Sequence, residues 1–203
     1  MQFWTQTEVK PATLLAFLIG SALFIAAVLF KRLGQARVEA TAKAPAARRD
    51  WTSLGGVLIQ SAGIGLASGP ARGVGSGLLD GIDEPRTWIT ALTIGSAAGL
   101  FFWAARTMGD NWSIVARMRP GHELVTTGPF ALVRHPIYLA MLLFMLSVAA
   151  GTAHERALWA AVPVFVIGTL IRTTREEALL RAQFGAAYED YAARVKRFIP
   201  GLL

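Results

Sequence analysis

Nineteen consecutive residues, Ala12 to Phe30, carry no charge. A helix needs roughly 20 predominantly apolar residues to cross the hydrocarbon core of a bilayer, where every backbone group must be satisfied within the segment. This run therefore points to a membrane-spanning helix. Two more follow: Trp51 to Ser68, rich in glycine, and Thr87 to Ala105, which opens with Trp88 and closes with Phe101, Phe102 and Trp103. From Pro136 to Ile171 the chain is apolar except for the break Gly151-Thr-Ala-His-Glu-Arg156, too long for one crossing and suited to a helical hairpin. The expectation is an all-α polytopic membrane protein with five transmembrane helices. Composition agrees, since 54% of residues are hydrophobic and 16% charged, outside the balance of a soluble domain. The pairs Ser61/Gly65 and Gly95/Gly99 are small residues at helical spacing, expected to let neighbouring helices approach closely.

Basic residues orient this layout, because loops retained in the cytoplasm are enriched in Lys and Arg. Lys31, Arg32, Arg37, Lys43, Arg48 and Arg49 separate spans one and two. Arg106, Arg117, Arg119 and Arg134 separate spans three and four, and Arg172, Arg175, Arg181, Arg194, Lys196 and Arg197 follow span five. That is sixteen of the twenty basic residues. Lys10, Arg72, Arg86 and Arg156 fall on the other side, with the acidic Asp80, Asp83 and Glu84. The split predicts an N-terminus outside and a C-terminus in the cytoplasm. A cleaved signal peptide competes for residues 1 to 35, but only Lys10 precedes the apolar run, which is longer than a usual signal core.

A net charge of +7 could suggest nucleic acid. In so apolar a chain it instead marks cytoplasmic loops and contact with anionic headgroups, so membrane lipids are the expected partners and nucleic acid is not. The absence of cysteine excludes disulfides, thiolate metal sites and a cysteine nucleophile. The three histidines lack a ligand spacing such as His-Glu-x-x-His, so no metal site is expected. GPARGVGSGLLDG, residues 69 to 81, lacks the order of a phosphate-binding loop and reads as an outside loop. Glu39 to Arg49 reads as a flexible or surface-lying linker. Trp4, Trp51, Trp88, Trp103 and Trp112 lie near span ends and read as interfacial anchors.

The chemistry concentrates in HELVTTGPFALVRHPIY, His122 to Tyr138. Gly128-Pro129 is a turn signal. Pro136 fits the first turn of span four, where its missing N–H costs nothing, and His135 then sits beside the free N–H groups and positive dipole end of that helix. By the topology this stretch shares a face of the membrane with the tail REEALLRAQFGAAYEDYAARVKRFIPGLL. There Leu179, Leu180, Phe184, Tyr188 and Tyr191 recur at helical spacing, and an amphipathic helix is expected to carry span five into the cytoplasm, interrupted at Gly185. Arg172 and Glu176, four apart, share one helix face. Glu177 reads as part of a surface ion-pair cluster with Arg175, and Tyr188 and Tyr191 as packing for the tail.

These motifs, H-E-L-V-T-T-G-P-F, then R-H-P-I-Y, then R-x-x-x-E-E with a later F-G-x-x-Y-x-x-Y and Arg197 to Pro200, resemble the isoprenylcysteine carboxyl methyltransferase family, membrane enzymes related to phospholipid methyltransferases. The resemblance covers about residues 100 to 200 and is carried by several motifs in order. It divides the chain into residues 1 to 86, two spans and a basic linker without a signature, and residues 87 to 203, three spans and a tail forming the catalytic core. The family methylates the carboxylate of a C-terminal prenylated cysteine with S-adenosylmethionine, releasing S-adenosylhomocysteine. The resemblance implies a cytoplasmic cofactor pocket contacted by His122, Glu123, Leu124, Val125, Phe130, His135, Pro136, Ile137, Tyr138 and Glu176, with Arg172 as the catalytic residue facing the substrate. Phe130 stands where the family commonly has Tyr, keeping a stacking face and losing a hydroxyl.

Methyl transfer from a sulfonium to a carboxylate needs no general base, so positioning and desolvation must supply the catalysis. Arginine can hold a carboxylate in bidentate fashion, and Phe130 and Tyr138 can face adenine or the sulfonium. The implied acceptor is a lipophilic small molecule or lipid-linked group. Two rivals stand beside this reading: a membrane reductase of the sterol type using NADPH, and a non-catalytic membrane scaffold.

Overall fold

Three of the helices begin on a proline, where fixed φ suits the first turn and the missing N–H would be unpaired in any case. They are α1 (Pro11–Thr41), α3 (Pro85–Met108) and α4 (Pro136–Gly151). The others are α2 (Trp51–Leu66), α5 (Leu158–Phe184) and α6 (Ala186–Arg194). This computed structural model describes residues 8–41, 51–69, 72–73, 77–109 and 123–201, the side chains of 35–41 and 72–73 excepted. The fold is all-α. Among the described residues, the one extended pairing is the two-residue parallel contact of β1 (Glu8–Val9) with β2 (Arg72–Gly73).

A helix stands at each of the five positions expected for a span. Among the described residues, three segments are long and apolar enough to cross a membrane: Pro11–Gly34, Pro85–Met108 and Glu155–Phe184. The 24 residues of α3 rise about 36 Å, more than the roughly 30 Å of hydrocarbon, whereas α4, apolar throughout, has 16. Large apolar side chains face outward, Leu23, Phe30, Leu58 and Leu92 among them, as lipid-facing surfaces require and soluble monomers avoid. The chain is an integral membrane protein. Trp88 and Trp159 are exposed at one end of the bundle, Trp51 and Trp103 at the other, an aromatic belt at both ends. Trp4 and Trp112 lie outside the described residues.

The helices pack as two groups. α3 lies between α1 and α4, with Phe24 of α1 stacked on Phe144 at 4.6 Å and tilted against Phe101 at 5.2 Å. α2 packs along α5, and Met145 and Ala149 of α4 meet Ala161 and Phe165 of α5 in a second cluster. Close approach comes from glycines other than the expected pairs. A Cβ on Gly63 would lie 2.7 Å from the Phe165 nitrogen, and one on Gly168 2.5 Å from the Gln60 nitrogen. Ser61, Gly65, Gly95 and Gly99 face outward, and the three glycines have open space around them. Period alone identifies a small-residue face; which face meets a neighbour depends on helix rotation.

At one pole, the buried Arg86 donates from Nε to Glu155 Oε1 at 2.9 Å and from Nη1 to the Glu8 carbonyl at 3.3 Å. Thr13 and Thr87 share a 2.6 Å hydroxyl contact there, and Lys10 lies 3.8 Å from Asp80. Thus Lys10, Arg86, Asp80 and Glu155 share a pole, as the loop assignment requires. The segment Glu39 to Arg49, read as a linker, is helical as far as Thr41; the remainder lies outside the described residues, as do Lys43, Arg48, Arg49, Arg117 and Arg119.

Candidate active site

At the opposite pole the chain from Glu123 to Tyr138 meets α5 and the tail. Gly128, in the left-handed region at φ 59°, opens a 3₁₀ turn, Gly128–Ala131, that buries Pro129 and Phe130. A side chain at Gly128 is disfavoured by the left-handed backbone, and its Cβ would lie 2.8 Å from the Thr107 hydroxyl. His135 caps α4, with Pro136 in the first turn as expected. Gly185, at φ 50°, ends α5 and begins α6, the expected interruption.

The tail returns to the first motif through its backbone. The Arg134 and His135 nitrogens donate to the carbonyls of Lys196 and Arg197, at 2.8 and 3.1 Å. Tyr191 donates its buried hydroxyl to the Phe130 carbonyl at 2.7 Å, and the Phe198 ring lies 5.8 Å from that of His135. Tyr188 and Tyr191 are both buried, in the packing role expected of them. Burial first, then the Glu177 carboxylate, pushes the Tyr188 phenol up to about 12. Burial likewise raises Tyr191.

Glu177 corrects the sequence reading. Instead of joining a surface cluster it is fully buried and central. Its Oε1 lies 3.1 Å from His135 Nε2 and accepts from Arg197 Nε at 2.9 Å; its Oε2 accepts from Arg197 Nη2 at 2.6 Å and Arg181 Nη2 at 3.4 Å. Arg134 Nη2 is 3.7 Å away. Hydrogen bonding to this carboxylate raises the Arg197 guanidinium above its ordinary value. Burying a carboxylate costs several kcal/mol unless it is paired and fully hydrogen-bonded, and the three arginines together with His135 meet that requirement. The i, i+4 relation of Glu177 to Arg181 was visible in the sequence; the convergence of Arg134, His135 and Arg197 required the fold.

Glu176, its neighbour, points elsewhere. About a third exposed, it accepts from the Tyr138 hydroxyl at 3.0 Å and lies 3.8 Å from His135 Nδ1. Tyr138 and His135 meet edge to face at 5.6 Å, and the Arg172 guanidinium sits 4.9 Å above the Tyr138 ring. Arg172, counted among the basic residues beyond span five, is instead buried within the continuous α5. It donates from Nη1 to Gln60 Oε1, whose amide nitrogen donates to Thr169 at 2.8 Å. Nothing in the sequence around Gln60 marked it, since its uncharged side chain stands in a helix that also carries small polar residues.

Of the expected site residues, Phe130, His135, Pro136, Ile137, Tyr138, Arg172 and Glu176 therefore gather around the start of α4. Glu123, Leu124 and Val125 approach the 3₁₀ turn in irregular chain, Glu123 exposed and the other two half-buried. His122 lies outside the described residues. Among the described residues no group of three or more His, Asp or Glu could hold a metal ion.

Residues 89–182 match the family model of the isoprenylcysteine carboxyl methyltransferase (ICMT) family. Two curated relatives are similar over 119 residues at 31% identity: the nickel-cobalt-cadmium resistance protein NccN of Alcaligenes xylosoxydans xylosoxydans and the cobalt-zinc-cadmium resistance protein CzcN of Cupriavidus metallidurans. Those residues make up 57% of this chain and 54% and 53% of the relatives, so the chain spans about half the length of the curated relatives it matches. The family match runs from α3 into α5 and takes in Arg172, Glu176 and Glu177, so this part of the chain is similar to an isoprenylcysteine carboxyl methyltransferase family domain.

Proposed function

We propose that the protein is a membrane methyltransferase that moves a methyl group from S-adenosylmethionine to a lipophilic acceptor bearing a carboxylate, prenylcysteine-like or isoprenoid. The observation that carries this reading is the juxtaposition of Glu176, Tyr138 and Arg172 beside His135. A carboxylate one-third open to solvent and flanked by aromatic rings suits a cationic sulfonium and its amino group, so the residues present fit the donor. Bound there, the donor would supply an electrophilic methyl group.

The chain's own residues divide the remaining work. Glu176 accepts from donor amino or ribose groups, with Tyr138 fixing its orientation. Phe130, Pro136 and Ile137 offer apolar surface, and Glu123 to Val125 border the approach. Arg172 holds an acceptor carboxylate, which is already ionised at neutral pH and needs no base. Buried surroundings strip water from that carboxylate and raise its nucleophilicity.

Its depth supports a lipophilic acceptor. Gln60 lies nine residues along α2 from the exposed Trp51, about 13 Å along the helix axis, so an acceptor reaching Arg172 would come from within the bilayer. The proposed topology has five spans, the shorter α2 and α4 included, with the N-terminus outside and the site on the cytoplasmic side. The relatives are named for resistance to nickel, cobalt, zinc and cadmium. The described residues offer no ligand cluster on which to rest metal binding, and methyl transfer is the reading the site supports.

The test is equilibrium binding of S-adenosylmethionine and S-adenosylhomocysteine to protein purified in detergent. Saturable binding that Glu176→Ala weakens, with Arg172→Ala lowering turnover and leaving donor affinity in place, is the expected result. No saturable binding, or greater thermal protection by NADPH, would favour the reductase reading. Binding without methyl transfer to any of a panel of prenylcysteine analogues and lipids would favour a scaffold. Because the chain has no cysteine, single substitutions Gly77→Cys and Gln183→Cys report orientation: an impermeant thiol reagent should label the first in intact cells and the second only after permeabilisation.

A further inference from the structure

We infer that Gln60 of α2 is a positioning residue that holds the Arg172 guanidinium for an anionic acceptor, so that a helix outside the family-matched segment completes the site. The inference rests on the reading of Arg172 given above. Gln60 is fully buried in a helix that carries no charged residue, and a large polar side chain at that depth is retained for a partner or a function.

Its two contacts fix its amide without ambiguity. Oε1 must accept, because the partner is the guanidinium Nη1 of Arg172, and Nε2 therefore donates, to Thr169 Oγ1 at 2.8 Å. Thr169 lies one turn before Arg172 on the same helix, so Gln60 bridges two turns of α5 and fixes both.

The backbone around it is shaped for this contact. A Cβ on Gly56, one turn before Gln60, would lie 2.6 Å from Arg172 Cγ. A Cβ on Gly168, beside Thr169, would lie 2.5 Å from the Gln60 nitrogen and 2.8 Å from the Gly56 carbonyl. Two glycines thus clear space on opposite helices, one for the stem of Arg172 and one for the backbone that carries Gln60. A neutral partner matters chemically. An amide oxygen orients the guanidinium and leaves its charge uncompensated by that contact, whereas a carboxylate at the same place would compete with an anionic acceptor. With Tyr138 on another side at 4.9 Å, the cation is restrained from α2 and from α4.

The test uses the full chain in lipid nanodiscs with two probes, N-acetyl-S-farnesylcysteine and its uncharged carboxamide, and measures S-adenosylhomocysteine affinity alongside. Wild type is expected to prefer the carboxylate probe. Gln60→Glu keeps an acceptor for Arg172 and places an anion beside it; it should cost tenfold or more in affinity for the carboxylate and less than about twofold for the carboxamide and for S-adenosylhomocysteine. Gln60→Leu should also weaken the carboxylate probe selectively. If Gln60→Glu retains the wild-type preference, or if both probes and S-adenosylhomocysteine weaken together, Gln60 serves packing alone and the inference is overturned. A wild type that does not distinguish the probes overturns the assignment of Arg172 itself, and this inference with it.

Discussion

Arg197 closes on Glu177 through two contacts, Nε to Oε1 at 2.9 Å and Nη2 to Oε2 at 2.6 Å, across twenty residues of chain. Because the Arg197 carbonyl also accepts from the His135 nitrogen, one residue ties the end of the tail to α5 and to the start of α4. Removing the carboxylate should therefore do more than break one pair. Glu177→Ala leaves His135 Nε2 without its carboxylate partner and removes the buried anion beside Arg134 and Arg197, and loss of one member of such a pair costs on the order of 3 kcal/mol. A thermal midpoint lowered by several degrees, together with weaker S-adenosylhomocysteine binding, is expected by calorimetry in detergent. Arg197→Lys keeps the charge and loses the fork, and should cost about 1–2 kcal/mol.

Tyr138→Phe isolates the hydroxyl that reaches Glu176 at 3.0 Å. The ring, and its stacking against Arg172, remains. Donor affinity should fall by less than about tenfold, since one hydrogen bond to a charged group is worth about 1.5 kcal/mol or less at a partly exposed site. Titration of wild type and variant with S-adenosylhomocysteine measures the difference, and an unchanged dissociation constant would show that Glu176 needs no such support.

Helix contact should separate the glycines into two classes. Gly63→Ala places a Cβ 2.7 Å from a backbone nitrogen that cannot swing aside, at a cost of about 1–3 kcal/mol. Gly65→Ala and Gly99→Ala enter open space and should be neutral or stabilising by roughly 0.5 kcal/mol through helix propensity. Thermal unfolding of the three variants side by side decides it; equal effects would place the α2–α5 contact elsewhere.

The far pole should affect stability without affecting the site. Arg86→Ala strands Glu155 and frees the Glu8 carbonyl, a loss of about 2 kcal/mol. Binding of S-adenosylhomocysteine below the unfolding transition should be retained, because the pair sits at the opposite end of the bundle.

Alkaline pH should loosen the tail. The Tyr188 phenol is pushed up to about 12 in the folded chain, mainly by burial, and Tyr191 is also raised, while an unfolded tyrosine titrates near 10. A group raised on folding contributes stability that is fully present below the unfolded value and is lost as pH climbs through the folded one. The thermal midpoint should hold between pH 7 and about 9 and decline above about 10. Tyr191→Phe, which strands the Phe130 carbonyl, should cost about 1 kcal/mol at neutral pH.

Sequence alone determined the elements here because their signals are local. Apolar length marked the helices; Pro136, Gly128 and Gly185 marked a helix start, a turn and a break; and the ordered motifs from His122 to Pro200 marked the family. Clustering of the tail tyrosines on one face followed from period. What only the tertiary structure decided was partnership. Glu176 and Glu177 are adjacent and chemically identical, yet a rotation of about 100° per residue sends one toward solvent and Tyr138 and the other into a cage of arginines. The glycines that bring α2 and α5 together, Gly56, Gly63 and Gly168, carry no mark distinguishing them from Gly65, Gly95 and Gly99, because the choice rests on how each helix turns toward its neighbour. Gln60 is the clearest case: its sequence neighbours gave it no readable role, and its meaning comes from Thr169 and Arg172, 109 and 112 positions away.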